Sequence, residues 1–143
     1  MRNTLLISSL LFSFSCQELR EEKKQLIDIK KCTSTISIDK YGIGTKFYSN
    51  PDTIKLNSAS FLVVSLYSCE GEMDFKEFNI DSGLVLEGHY KAANELTKAV
   101  TESINPMDGT STFDSTNHYV PTKIGVWSIY NKNGEIIKTE NYK

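Results

Sequence analysis

Residues 125–143 read GVWSIYNKNGEIIKTENYK, and this stretch decides the fold that the sequence predicts. Two runs rich in β-branched and aromatic residues flank the Asn-Lys-Asn-Gly segment at 131–134. Asn and Gly tolerate the positive φ that a tight turn requires, so the stretch predicts a β-hairpin. Residues 78–91 repeat this outline, and the interval from Phe78 to Tyr90 equals the interval from Tyr130 to Tyr142. The sequence therefore predicts a repeated hairpin.

The Tyr-Asn-Lys-Asn-Gly segment at 130–134, the Glu-Asn-Tyr-Lys end and the preceding Gly-Val-Trp resemble the MORN-type hairpin repeats (membrane occupation and recognition nexus) of many bacterial proteins. The similarity covers 75–91 and 125–143. It implies a sheet of antiparallel hairpins that serves as a binding surface. Some bacterial relatives of this kind are labelled antitoxin or immunity-like, which implies a role of that type. The resemblance implies no catalytic residue.

The composition is that of an ordinary soluble domain. The chain has 143 residues, of which 39% are hydrophobic and 24% charged, so one domain with its own core is expected. The formal net charge is −2, and the lysines near the N-terminus are interleaved with acidic residues. Nucleic-acid binding needs a clustered positive surface, so we expect no nucleic-acid partner.

The N-terminus predicts export. Residues 1–15 carry one positive charge followed by an apolar run too short to span a bilayer, which is typical of a signal peptide. Its end, Ser-Phe-Ser-Cys, resembles the lipobox of bacterial lipoproteins, so we expect lipidation of Cys16 and anchoring by several acyl chains. Residues 16–31 are polar and predict a tether. The expected location is the bacterial cell envelope, and simple secretion is the alternative.

Two cysteines remain, Cys32 and Cys69. In an exported protein such a pair is a disulfide candidate, and a pair of buried thiols is the alternative. Neither cysteine has His or Cys neighbours at ligand spacing, so we expect no metal site and no cofactor.

The fold class expected is mainly β, an antiparallel hairpin meander with one inserted helix, in a domain that spans 32–143. Short strands are predicted at 33–39 and 53–56, and the apolar run at 60–67 predicts a central strand. Residues 91–104 place Leu96, Val100 and Ile104 at helical spacing and predict an amphipathic helix that ends before Pro106. The Ser/Thr/Asn-rich stretch at 108–117 predicts a mobile loop.

No catalytic constellation is apparent in the sequence. The two histidines that could serve as a general base are His89 and His118, and Glu70 with Glu72 is the carboxylate pair that would suit glycan chemistry. Aromatic residues are the better candidates because Trp and Tyr are enriched at interface hot spots. The partner-binding candidates are Tyr90, Trp127, Tyr130 and Tyr142. For Trp127, burial in the core is the favoured interpretation and partner binding is the alternative.

These features together predict a non-enzymatic envelope lipoprotein whose hairpin sheet binds an envelope or secreted protein. The alternatives are a structural subunit of an envelope assembly and a small carboxylate-dependent enzyme acting on a glycan.

Overall fold

The computed structural model of the protein describes residues 24–38 and 46–143. Nine strands form a six-stranded antiparallel sheet of order β2-β3-β4-β5-β8-β9 and a three-stranded sheet of order β1-β7-β6. The strands are β1 (Thr35–Ile36), β2 (Asp52–Lys55), β3 (Ser60–Leu66), β4 (Met73–Asn79), β5 (Gly83–Lys91), β6 (Leu96–Ile104), β7 (Ser111–Tyr119), β8 (Thr122–Tyr130) and β9 (Ile136–Tyr142). The predicted signal peptide, Cys16 and the start of the tether lie outside the described residues.

The two predicted hairpins exist and are neighbours in the six-stranded sheet. One is β4–β5 and the other is β8–β9, and β5 pairs with β8 in antiparallel register. The turn of the second hairpin is closed by Asn131, whose side-chain oxygen accepts from the backbone N–H groups of Asn133 and Glu135. Gly134 has a φ of +79°, as the Asn-Gly turn signal requires. The prediction of a mainly β fold of antiparallel hairpins is confirmed.

The core lies on one face of the six-stranded sheet. On β3 the alternate residues Leu62, Val64 and Leu66 are buried, because successive side chains of a strand point to opposite faces. Their partners on β4 include Phe75 and Met73, also buried. Residues from the N-terminal segment complete the cluster: Ile27, Ile29, Ile36, Ile38 and Phe47. Each fully buried side chain of this size contributes roughly 1.5–3 kcal/mol.

The segment before β1 lies against the domain from Lys24 onward. The backbone N–H of Ile27 donates to the carbonyl of Leu66 at 3.2 Å, and Asn50 donates to the carbonyl of Ile27 at 2.9 Å. A short 3-10 turn, Ile29–Lys31, then leads to Cys32. The described part of the predicted tether is therefore part of the packed domain. Cys32 and Cys69 form a disulfide with their Cα atoms 5.2 Å apart.

The prediction of a helix at 91–104 is wrong. Leu96–Ile104 is strand β6, which pairs over its whole length with β7. The predicted mobile loop is wrong for the same reason, since Ser111–Tyr119 is β7. Spacings of four residues put Leu96, Val100 and Ile104 on one face of a strand as well as of a helix, so the apolar pattern fits both. Within 24–38 and 46–143 no helix is long and apolar enough to cross a membrane.

Candidate functional site

The face of the six-stranded sheet opposite the core is the candidate site, and we call it the outer face. Pairing register assigns residues to it, because directly opposed residues of neighbouring strands share a face. The outer face is open to solvent at its middle, where Asp74 and Lys76 of β4 and Val126 of β8 are exposed. Its other members include Phe61, Tyr67, Phe78, Glu87, His89, Ser128 and Tyr130.

A shallow groove of about 440 Å³ runs across β4, β5 and β8 on this face. The pairing of β5 with β8 shifts register between Glu87 and His89, at Gly88. Bulges of this kind bend a strand and increase its twist. On the core side a Cβ at Gly88 would lie 2.1 Å from Cδ2 of Trp127, so the indole ring packs directly on the bare backbone. The groove therefore lies over the place where the largest core side chain approaches β5.

His89 is the centre of a polar cluster at one end of the groove. Its Nδ1 lies 2.8 Å from Oδ1 of Asp74, and the hydroxyl of Tyr67 donates to Oδ2 of the same carboxylate at 2.5 Å. On the other side, Nε2 of His89 lies 3.1 Å from Nζ of Lys24. Lys24 also donates to Glu72 at 2.5 Å. In this arrangement Nδ1 of His89 is placed to donate to Asp74, and Nε2 is placed to accept from Lys24.

The cluster shifts the pKa values of its acidic groups. The hydrogen bond to Asp74, assisted by burial, raises the pKa of the Tyr67 hydroxyl to about 12. Burial raises the pKa of Asp74, but hydrogen bonds from Tyr67 and His89 outweigh burial, and the net pKa lies below its ordinary value. The hydrogen bond from Lys24 lowers the pKa of Glu72. Both carboxylates are therefore ionised at neutral pH.

A second group lies further along the outer face. Lys76 of β4 approaches Glu87 of β5 at 3.4 Å, and the hydroxyl of Tyr130 on β8 donates to the same carboxylate. This hydrogen bond raises the pKa of the Tyr130 hydroxyl. The rings of Phe61 and Phe78 stack beside it with centroids 5.2 Å apart. The outer face thus combines both signs of charge with aromatic surface.

The four aromatic candidates from the sequence occupy different positions. Tyr90 and Trp127 are each 1% exposed and lie in the core, so neither ring is open to a partner in the folded protein. For Trp127 this is the core position that the sequence favoured. Tyr142 packs against Trp127 with ring centroids 6.2 Å apart, at the edge of the core. Tyr130 is half-buried and lies on the outer face beside Glu87. Of the four, it is the one that a molecule docked on this face would touch.

The cluster lacks the order of a hydrolytic triad. In a triad the histidine lies between a carboxylate and a nucleophile, and the nitrogen remote from the carboxylate takes the proton. Here Nε2 of His89 faces Lys24 and lies 3.7 Å from Glu72. His118 lies at the base of the β6–β7 hairpin, opposite Thr35 and Thr97. Among the described residues no three His, Cys, Asp or Glu side chains are grouped to hold a metal ion.

The sequence alone could not reveal the Asp74–His89 pair. Asp74 and His89 meet because β4 and β5 pair in one particular register, in which Met73 opposes Tyr90 and Asp74 opposes His89. The signal that the sequence does carry is strand alternation, by which the neighbouring residues His89 and Tyr90 face opposite sides of β5. No protein-family model matches the chain, and no curated protein or solved structure is significantly similar to it.

Proposed function

We propose that the protein is a non-enzymatic, lipid-anchored protein of the bacterial cell envelope that binds another protein through its outer face. The observation that carries this proposal is the solvent-exposed centre of the outer face, where charged side chains line a shallow groove. Two of them, Asp74 and Glu87, accept hydrogen bonds from Tyr67 and Tyr130. Interfaces between proteins combine aromatic anchors with polar rims. The mixture of charge signs suits a protein surface better than a phosphate backbone, which requires a uniformly basic patch.

Two further features support this function. The disulfide between Cys32 and Cys69 suits a protein exported to an oxidising compartment. Lys24, eight positions after Cys16 in the sequence, donates to Glu72 of the domain, so a lipid on Cys16 would hold the domain close to the membrane surface. An immunity-like role, in which the partner is a toxic protein, is the specific form that the hairpin resemblance implies.

The anchor is tested by metabolic labelling with a palmitate analogue, followed by cell fractionation, on wild type and Cys16→Ala. We expect label in the membrane fraction of wild type and its loss in the variant. Unlabelled wild-type protein in the soluble fraction or the medium would reject the anchor and leave a secreted binding protein.

Binding is tested by purifying the tagged full chain from envelope extracts and comparing Lys76→Glu with Lys132→Glu. Lys76 is an exposed cation on the outer face, whereas Lys132 is an exposed cation in the β8–β9 turn. We expect a partner protein to co-purify in stoichiometric amount with wild type and with Lys132→Glu, and to be lost with Lys76→Glu. Equal recovery of that protein with both variants would place the interface elsewhere.

A further inference from the structure

The β6–β7 hairpin forms an arm, Leu96–Tyr119, that is exposed on both of its faces. Its base is tied to the domain where β7 pairs with Thr35 and Ile36 of β1. Beyond the base, both strands are solvent-exposed at nearly every position. An isolated two-stranded hairpin is marginally stable in water, and three or more strands are normally needed. Pairing with another strand would therefore stabilise the arm.

An additional strand could pair with the edge of β6 that faces away from β7. Within 24–38 and 46–143, β7 is the only strand that pairs with β6. The backbone N–H of Asn105 donates to the carbonyl of Thr110 at 2.8 Å, and the register from there to the base is unshifted. Because hydrogen-bonded and non-bonded pairs alternate, even-numbered residues of β6 direct their N–H and C=O groups away from β7. These residues are Leu96, Lys98, Val100, Glu102 and Ile104.

The sequence of β6 is complementary to itself about Val100. Residues 96–104 read LTKAVTESI, so Lys98 and Glu102 lie equally far from Val100 on opposite sides. Leu96 and Ile104 are likewise symmetric about it. If two β6 strands pair antiparallel with their Val100 residues opposed, each Lys98 faces a Glu102 and each Leu96 faces an Ile104. Directly opposed charges of opposite sign, and directly opposed apolar residues, stabilise antiparallel pairs.

We propose that the arm binds a second copy of this chain through antiparallel β6–β6 pairing about a two-fold axis at Val100. The product is a four-stranded sheet of order β7-β6-β6-β7 across the two copies, in which all five outward-facing residues of each β6 are paired. A two-fold axis makes the contact self-limiting, so the product is a dimer and not a fibre. This interface is separate from the outer face of the six-stranded sheet.

The charges select this register. A shift of two residues in either direction opposes Val100 of one copy to Lys98 or to Glu102 of the other. Charged side chains on an edge strand ordinarily prevent edge-to-edge pairing. Here the two charges have opposite sign and symmetric positions about Val100. A shift of two residues loses both ion pairs, and a shift of four opposes like charges, so the symmetric register is favoured.

The same register aligns apolar surface. Leu96, Val100, Ile104 and Phe113 share one face of the arm and are 43%, 61%, 63% and 66% exposed. In the dimer the Leu96, Val100 and Ile104 side chains of one copy lie beside those of the other on a single sheet face. Contact between these side chains removes apolar surface from water, which favours association.

The geometry is tested by oxidative crosslinking of Val100→Cys in the full chain, purified in non-ionic detergent with micelles in excess. Residues in a hydrogen-bonded antiparallel pair have Cα atoms about 5.5 Å apart, within the range of a disulfide. The matched control is Thr101→Cys, also exposed, whose two Cα atoms would lie about 8 Å apart, beyond that range. We expect a crosslinked dimer for Val100→Cys alone. Failure of Val100→Cys to crosslink, or equal crosslinking by both variants, would overturn the proposal.

A charge swap tests the register independently. Lys98→Glu or Glu102→Lys opposes like charges at two symmetric pairs, so each should weaken dimerisation about tenfold or more in sedimentation measurements. The combined variant Lys98→Glu/Glu102→Lys restores opposite charges and should restore the dimer. A monomeric wild type, or a dimer unaffected by the single reversals, would reject β6–β6 pairing.

Discussion

Gly88 lies where the indole ring of Trp127 crosses β5, and the ring leaves no room for a side chain there. A Cβ would lie 2.1 to 2.6 Å from three atoms of the ring, far inside van der Waals contact. The rings of Phe75 and Tyr90 also pack against Trp127, with ring centroids 5.6 and 5.0 Å away. Movement of the indole ring would therefore disrupt these contacts. We therefore expect Gly88→Ala to lower the free energy of unfolding by about 1–3 kcal/mol, measured by urea denaturation.

A double-mutant cycle separates this clash from a loss of backbone freedom. In a Trp127→Phe background the smaller ring leaves space, so Gly88→Ala should cost much less than in wild type. Equal cost in both backgrounds would show that the ring contact is not the cause.

Acid should weaken the polar cluster on the outer face. The pKa values of Asp74 and Glu72 lie below their ordinary values of 3.8 and 4.5, so the folded state binds fewer protons than the unfolded state in this range. The stabilisation is complete above the ordinary pKa values and is lost as the pH falls through the lowered ones. We expect the unfolding free energy to decline below about pH 4.5, and to decline less steeply in Asp74→Asn.

The control is Asp81→Asn, in the exposed β4–β5 turn. It also removes one negative charge, but at a position outside the polar cluster. The effect is small because the Asp74 side chain is 51% exposed and solvent screens it. An acid profile that is the same for Asp74→Asn and wild type would exclude this origin of acid sensitivity.

At the scale of elements, the hairpins were predictable and the arm was not. Both repeated hairpins carry turn residues with a specific backbone demand, and β3 alternates buried and exposed side chains. The arm lies away from the core, so burial imposed no period-two pattern on β6. Its apolar residues recur every four positions, which a helix and a strand satisfy equally. Its β-branched residues, Thr97, Val100, Thr101 and Ile104, were the signal that favoured a strand.

The alternation of hydrogen bonds along β6 predicts opposite effects of proline at neighbouring positions. The N–H of Ala99 points toward β7, so Ala99→Pro removes a hairpin hydrogen bond, whereas the N–H of Lys98 points outward. We expect Ala99→Pro to accelerate hydrogen exchange of the β7 amides and Lys98→Pro to leave the hairpin formed. Lys98→Pro should still abolish the β6–β6 dimer, since it removes an outward donor. Equal loss of β7 protection in both variants would contradict the assigned alternation.

For the molecule as a whole, the disulfide joins the N-terminal segment to the sheet. It closes a loop of 37 positions between Cys32 and Cys69, which in the chain-entropy model contributes about 3 to 4 kcal/mol. We expect Cys32→Ser/Cys69→Ser to lose about this much unfolding free energy in urea denaturation. Cys16→Ser is the control and should leave it unchanged. A double variant as stable as wild type would show that the packing of Ile27 and Ile29 alone holds the segment.

The sequence predicted the type of surface at the candidate site but not which face of the sheet carries it. The sequence indicated a hairpin sheet with aromatic residues, but which face is open depends on which side the N-terminal segment covers. Tyr90 and Trp127 lie on the covered side and Tyr130 on the open side. That distinction follows from packing between distant parts of the chain, which local patterns do not encode.

The most direct test of the central claim is site-specific photocrosslinking in living cells. A photoreactive amino acid at Val126 samples the outer face, and the same residue at Lys138 samples the opposite side of the sheet, where it pairs with Ile129. Both positions are solvent-exposed. We predict that Val126 captures a discrete envelope or secreted protein and that Lys138 does not. Capture of the same protein at both positions, or at neither, would contradict binding through the outer face.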